Sequence, residues 1–338
     1  MRHRPECLDL MLTAHTCTAD KGGVMADLSA TRLPKDVVWI DLLNASAEEV
    51  AFVERITGRH IPTPVELSEI ESSSRLRTLD GAVYLSTPLV ARADSNDPMV
   101  TSVGFVLQEK LLITVRFVEL KAFATFSENA SKPGAVHHSS AGAFVGLIEA
   151  IVDRMADALE GVGHDLDMVS KRTFRDPTIK PHRPAREDAD LRERLRVIGR
   201  AGDLTSKIRD TLLGLGRIVP YVATAATAWL PPEIKPRLET LRLDIASLSD
   251  YDSHLTNNVQ LLLDATLGLI NIEQNNIIKV LTIVSVVGVP PTLIASMYGM
   301  NFKDMPELNW SWGYPYGLAL IALSAILPLA WFKIRGWL

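Results

Sequence analysis

The sequence predicts an α+β domain, followed by an all-α stalk of long helices and two C-terminal transmembrane helices. Three observations carry this reading. No charged residue occurs from Val280 to Met300 or from Asn309 to Phe332, and a helix of about 20 residues crosses a hydrocarbon core about 30 Å thick. Between Ile234 and Leu269 apolar residues keep a four-three alternation. Up to about Asn129 strand and helix periods are mixed, whereas beyond Gly142 the period is helical throughout.

Composition alone hides the membrane spans. A hydrophobic share of 47% over 338 residues fits a soluble globular chain of about two domains. The net charge of -5 argues against a nucleic-acid partner and suits a protein that handles cations. Asp9 interrupts the apolar run Leu8 to Leu12, which leaves no signal-peptide core. Cys7 and Cys17 stand beside His3 and His15, but their spacing matches no zinc motif. Residues 1–29 therefore read as a disordered leader ahead of an alternative start at Met25.

Residues 30–135 read as the cytoplasmic α+β domain. Val37 to Leu42 forms a buried strand, Ala47 to Thr57 a helix capped by Ser46, and Pro64 to Glu71 a second short helix. Gly81 to Val90, Val100 to Leu107 and Leu111 to Phe117 are strands, the last two joined by a turn at Gln108, Glu109 and Lys110. Residues 140–230 read as a helical hairpin. Phe144, Ile148, Ile151, Met155, Ala158 and Val162 mark one arm, and Leu191, Leu195, Ile198, Ile208, Leu212 and Leu215 the other, with a Pro-rich break from Arg175 to Pro184.

Residues 231–298 read as stalk and first span. Ile234, Leu238, Leu241, Ile245, Leu248, Leu255, Val259, Leu262 and Leu269 trace a coiled-coil seam with gaps at Asp252 and Thr266. No breaker follows before Gly288 and Pro290-Pro291, so one helix of roughly 65 residues and about 100 Å is predicted. A rod of that length calls for neighbours, hence a symmetric oligomer. The two prolines remove two helical hydrogen bonds and predict a kink, as a hinge or a fixed bend. Residues 299–312 then form an external loop, 313–333 the second span and 334–338 a basic tail. Lys279 before the first span, with Lys333 and Arg335 after the second, puts both chain ends in the cytoplasm.

Continued at steps of three and four, the axis-facing residues of the first span are Asn275, Ile278, Leu281, Ser285, Val289, Thr292 and Ser296, ending near Asn301. A ring of such spans encloses a polar path while each helix satisfies its own backbone. Small and hydroxyl residues also serve plain helix packing in membranes, which is the competing reading of the stripe.

Tyr298-Gly299-Met300-Asn301-Phe302, followed by Met305-Pro306-Glu307-Leu308, Gly313-Tyr314-Pro315 and the terminal Trp337-Leu338, resembles the signature of the CorA family of magnesium transport channels. The resemblance implies a funnel-shaped homopentamer in the cell inner membrane, with magnesium both as cargo and as the intracellular ion that closes the pore. It implies no organic cofactor and no enzymatic activity. Gly299, Met300 and Asn301 become the ion filter, with Asn301 holding the metal through its hydration water. Asn275 becomes the cytoplasmic mouth, Ile278, Leu281 and Val289 the hydrophobic gate, and Thr292 and Ser296 the upper pore. Family members often carry methionine where Ile278 and Val289 stand, so the width of the gate is open. In the family, acidic residues between subunits bind magnesium; the acidic face Asp153, Asp157, Glu160, Asp165 and Asp167, with Glu239, Asp244 and Asp252, offers no secure match.

The chemistry of the motif agrees with the resemblance. Magnesium binds oxygen in a tight octahedron and sheds water reluctantly. Neutral amide and carbonyl oxygens can hold its water shell, whereas a carboxylate ring would bind too tightly for release. Gly299 allows close backbone approach where the helix ends. Glu307, with Asp304 nearby, can concentrate cations at the mouth. No phosphate-binding loop occurs, so pumping is unsupported. Zinc, cobalt or nickel transport in the same superfamily is the nearest alternative, with proton coupling for zinc; Met300 and the lack of histidine in either span favour magnesium. A membrane-anchored sensor is the alternative of another class, but a tether needs no polar stripe.

Overall fold

The computed structural model describes residues 12–16, 24–25, 37–69, 71–95, 97–130, 139–174, 184–300, 305–306 and 310–337. They form two compact units, Met1–Leu263 and Asp264–Leu338. Cys7, Cys17 and His3 of the zinc constellation considered above lie outside the described residues.

The first unit is built on seven strands: β1 (Leu12–Thr16), β2 (Val24–Met25), β3 (Val37–Leu43), β4 (Leu76–Leu79), β5 (Ala82–Ala91), β6 (Met99–Leu107) and β7 (Leu112–Arg116). Its helices are α1 (Ala47–Thr57), α2 (Pro64–Ser68), α3 (Ser72–Arg75), α4 (Lys121–Ala130), α5 (Ser140–Phe174), α6 (Pro184–Ala225) and the first part of α7 (Ile234–Tyr298). The strands form one sheet in the order β2-β1-β3-β7-β6-β5-β4. Only β3 and β7 run parallel; the other neighbours are antiparallel.

Strand alternation sends side chains to both faces of the sheet. Trp39, Val83, Leu85, Phe105, Leu107 and Leu112 join α4, α5 and α6 in one core. Ile40, Leu42, Tyr84, Val106, Ile113 and Val115 join Phe52, Val53 and Leu67 of α1 and α2 in another. Both faces are covered, which explains why the central strands read as continuous apolar runs.

Local chemistry sets the helix limits. Ser46 accepts from the Glu49 amide at 3.3 Å while Glu49 accepts from the Ser46 amide at 2.7 Å, a reciprocal cap of the kind worth about 1 kcal/mol. Gly58 closes α1 at φ 65, donating to Glu54 O. The second helix stops at Ser68, short of the expected Glu71. Ser68 turns its hydroxyl onto Val65 O at 2.7 Å, and such side-chain bonds in a serine-rich stretch compete with helix continuation.

Several elements were not anticipated, among them α3 and β4; two others show why. The segment expected as a disordered leader contains β1 and β2, and β1 pairs antiparallel with β3 from Leu12↔Leu42 onward. Covering the open edge of β3 favours this pairing, but five residues are too few to read from periodicity. Helix α4 starts with no strong cap and shows itself only through Phe123 and Phe126, whose rings lie 6.4 and 5.3 Å from that of Trp39.

A polar chain ties the parallel strand pair to α4. Arg116 donates from Nη2 to Asp41 at 2.7 Å and from Nε at 3.1 Å. Thr114 donates to Asp41 at 2.7 Å and accepts from Trp39 Nε1 at 3.0 Å. The Arg116 guanidinium also lies 4.8 Å from the centre of the Phe123 ring. Every member of the chain is buried, so the charges are compensated where water cannot reach them.

The alternation along α7 has a different partner from the one expected. Ile234, Leu238, Leu241, Ile245, Leu255 and Leu262 are buried against α5 and α6 of the same chain, with Leu248 and Val259 packed on that core. The seam is therefore satisfied within the subunit, and the step from seam to oligomer loses its support. Its two gaps are buried as well. Arg209 of α6 donates to Asp252 at 2.9 Å, while burial pushes the Asp252 carboxyl up. At Gly202 of α6 an added Cβ would lie 3.3 Å from Val259, so α6 and α7 approach closely there.

The second unit consists of the rest of α7 and α8 (Gly313–Ile334). Both helices are long and apolar enough to cross a membrane. Helix α7 has 65 residues and continues through Pro290 and Pro291. Half-covered residues recur at Ile283, Val287, Pro290, Ile294 and Tyr298 on α7, and at Gly313, Gly317, Leu320, Ser324 and Pro328 on α8. Each set is one stripe of its helix, the pattern left by a pair of packed spans, with small residues among the contacts.

Two outcomes follow from this packing. Asp41→Asn leaves Arg116 buried without its partner and is expected to cost about 3–5 kcal/mol, seen as a lower thermal midpoint of the full-length protein. Asp41→Leu combined with Arg116→Met should cost much less than Asp41→Asn. In the cap of α2, the Thr63 amide, followed by His60 and the Thr63 hydroxyl, outweighs burial and holds Glu66 down to about 2 from its ordinary 4.5. A lowered carboxylate lends stability that is full above pH 4.5 and is lost as pH falls towards 2. Glu66→Gln should remove that part of the acid-unfolding profile; an unchanged profile would show that the cap does not contribute.

Candidate ion-conduction site

The predicted lining residues Asn275, Ile278, Leu281, Ser285, Val289, Thr292 and Ser296 all lie on α7 and are all exposed in the single chain. Ile278, Leu281 and Val289, expected at the gate, are 59%, 65% and 60% exposed. At about 100° per residue, the stripe from Ile278 to Ser296 stands about half a turn away from the half-covered stripe that runs from Ile283 to Tyr298, and Asn275 about a quarter turn. The contacts within unit 2 thus leave free the face that carries the polar positions.

Two hydroxyls on this span turn their protons inward. Thr282 donates to Ile278 O at 2.8 Å, and Thr292 donates to Val289 O at 2.8 Å and Gly288 O at 3.2 Å. With its proton engaged, the Thr292 oxygen keeps acceptor capacity. An acceptor suits the water shell of a cation, whose outward groups are O–H donors.

Helix α7 ends at Tyr298, and Gly299 donates to Ala295 O at 3.0 Å to finish the last turn. An added Cβ at Gly299 would lie 3.2 Å from Ala295 O and 3.5 Å from Ser296 O. These are backbone atoms, so a side chain there would press on the end of the helix. Met300 follows with 48% exposure. Asn301, Asp304 and Glu307 lie outside the described residues.

The acidic candidates of the first unit separate. Glu149, Asp157 and Asp244 act on Asp153, and burial first, then these charges, push its carboxyl up. Glu239 instead pairs with Arg242 at 2.7 Å, and Asp252 is held by Arg209. Among the described residues no three His, Cys, Asp or Glu side chains gather as a metal-holding group. Sequence reasoning missed a cavity at the start of the predicted lining, bordered by Asn275 and Ile278, where Trp337 meets Lys279. The Gly336-Trp337 step was the available signal, because a glycine after a helix marks a chain reversal.

Comparison with known proteins places this geometry in context. The family profile described as CorA-like Mg2+ transporter protein matches residues 34–333. The chain is 32% identical over 301 residues to the Magnesium transport protein CorA of Pasteurella multocida, covering 89% of this chain and 92% of that one. It is also 32% identical over 304 residues to the protein of the same name from Escherichia coli strain K12, covering 90% and 92%. The complete structure of the CorA magnesium transporter from Methanocaldococcus jannaschii shares the fold, with a TM-score of 0.73 at 18% identity over 97% of this chain and 99% of that one. The chain belongs to the CorA-like Mg2+ transporter family, a family of ion transporters rather than enzymes.

Proposed function

We propose that the chain is one subunit of a passive, membrane-potential-driven magnesium channel, with a hydrated-ion filter at Asn301 and closure by intracellular magnesium. The observation that carries the reading is the free face of α7, where all seven predicted lining residues are exposed and those from Ile278 to Ser296 lie about half a turn from the covered stripe. A homopentamer in the cell inner membrane, multi-pass with both chain ends cytoplasmic, brings five such faces around one axis. Each helix keeps its backbone hydrogen bonds internal, so the ring needs only side chains and helix ends to line the path.

The residues then divide the work. Asn275 meets the ion at the cytoplasmic mouth, and Ile278, Leu281 and Val289 form a constriction that closes by excluding water. Ser285, Thr292 and Ser296 supply acceptors to the hydrated ion. Gly299, Met300 and Asn301 hold it at the outer end, where Glu307 concentrates cations. Two charges crossing about 100 mV gain about 4.6 kcal/mol, a ratio of more than about a thousandfold, so uptake needs no other energy source.

The reading is tested in liposomes that hold a magnesium-sensitive dye under an inside-negative potential. The parent protein should admit magnesium and Asn301→Ala should lose most of the flux; equal rates in the two would refute the filter. Leu281→Ser should keep conducting at internal magnesium levels that close the parent. If Leu281→Ser closes over the same range as the parent, Leu281 is no part of the gate.

A further inference from the structure

We propose that Lys279 and Trp337 form a binding site for the phosphate-bearing headgroup of an anionic phospholipid at the cytoplasmic edge of the two spans, with Lys333 and Arg335 just before Trp337 in the chain adding positive charge. The site goes beyond conduction, though its leaflet rests on the orientation proposed above.

The cavity measures about 440 Å³, and Asn275, Asn276, Lys279, Thr282 and Trp337 are among its lining. That volume lies in the range of small-molecule sites, about 300–1,000 Å³. The Lys279 ammonium stands 5.8 Å from the centre of the Trp337 ring, close enough for a cation–π contact. Around it the covered stripe of α7 is interrupted. Steps of three and four back from Ile283 fall on Val280 and Asn276, and both are exposed.

Trp337 is held in place by the end of α8. Gly336 takes φ 70 and donates to Lys333 O at 3.1 Å, while Trp337 donates to Phe332 O at 3.0 Å. These two bonds make the left-handed glycine closure that ends many helices. The Trp337 ring then stacks on buried Phe332, with centroids 5.5 Å apart and an angle of 25°. Arg335 is ordered too, 5.5 Å from the centre of the Trp331 ring. The indole that carries Lys279 is thus fixed by backbone bonds and ring packing.

Charge selects the occupant. The described carboxylates of unit 2 are those of Asp264 and Glu273, and neither forms an ion pair with Lys279, Lys333 or Arg335. Three cations and two tryptophans at the end of a membrane span meet the interface where phosphates are most concentrated. Basic pockets between spans on the cytoplasmic side suit anionic headgroups, and each cation near the surface contributes about 1 kcal/mol.

The full-length protein, stripped of lipid in a neutral detergent, is titrated with phosphatidylglycerol, phosphatidylcholine or inorganic phosphate and read by native mass spectrometry and thermal midpoint. Phosphatidylglycerol should bind and raise the midpoint, and the other two should not. Lys279→Gln should weaken phosphatidylglycerol binding by about fivefold, Trp337→Leu should weaken it too, and Lys279→Arg should restore most of it. Lys110→Gln, in the hairpin between β6 and β7 of the first unit, should change nothing. The proposal fails if Lys279→Gln binds like the parent or if phosphatidylcholine binds as well. Stabilisation by inorganic phosphate alone, equal to that by phosphatidylglycerol, would overturn the lipid in favour of a free anion. A C-terminal tag open to protease outside intact cells would overturn the orientation, independently of whether the site binds lipid.

Discussion

A helix can bury only one stripe of its surface, and in this protein that limit falls hardest on α7. Its covered face is spent on α5 and α6 in the first unit, through Leu238, Ile245, Leu255 and Leu262. Farther along, half-covered positions resume from Ile283 to Tyr298. Between these two stretches, Asn275 to Leu281 are all exposed, so the covered positions of the two units are separate along the helix. The α7 residues proposed to line the path lie on what remains. The polar positions of the span stay free because packing has already been satisfied elsewhere.

Much of this was legible in the residues, for physical reasons that can be named. Long periodic segments average over local noise, so the extent of α7, from Ile234 to Tyr298, matched the expected 65-residue helix. The capping residues Ser46 and Glu49 announced the start of α1, since a side-chain oxygen and an amide three residues on must meet there. What failed to show were elements decided by distant contacts. Strand β1 exists by pairing with β3, and α4 by packing Phe123 and Phe126 on Trp39. The seam on α7 was visible, but periodicity carries no label for the partner. Leucines at those spacings pack equally well on a second copy or on two helices of their own chain.

The candidate site divides along a similar line. The lining stripe follows from periodicity once a span is granted, because helix geometry fixes which residues share a face. Gly299 has a local reason, since two backbone carbonyls crowd its missing side chain. The environment of Asp153, by contrast, gathers Glu149, Asp157 and Asp244 from two helices. No spacing along one helix reports such a crossing. The Asp41–Arg116 pair has the same character, with partners on neighbouring parallel strands.

The unbroken register of α7 has a mechanical consequence. In a continuous helix the backbone hydrogen bonds resist twisting, so residues far apart on it turn together. A change in the packing of Leu255 and Leu262 that rolls α7 about its own axis therefore rolls Asn275, Ile278 and Leu281 through a similar angle. With side chains reaching about 5 Å from the axis, a roll of about 20° displaces those tips by about 2 Å, comparable to the radius of a water molecule. In the channel proposed above, such a roll would change the bore of the path without any bending of the helix.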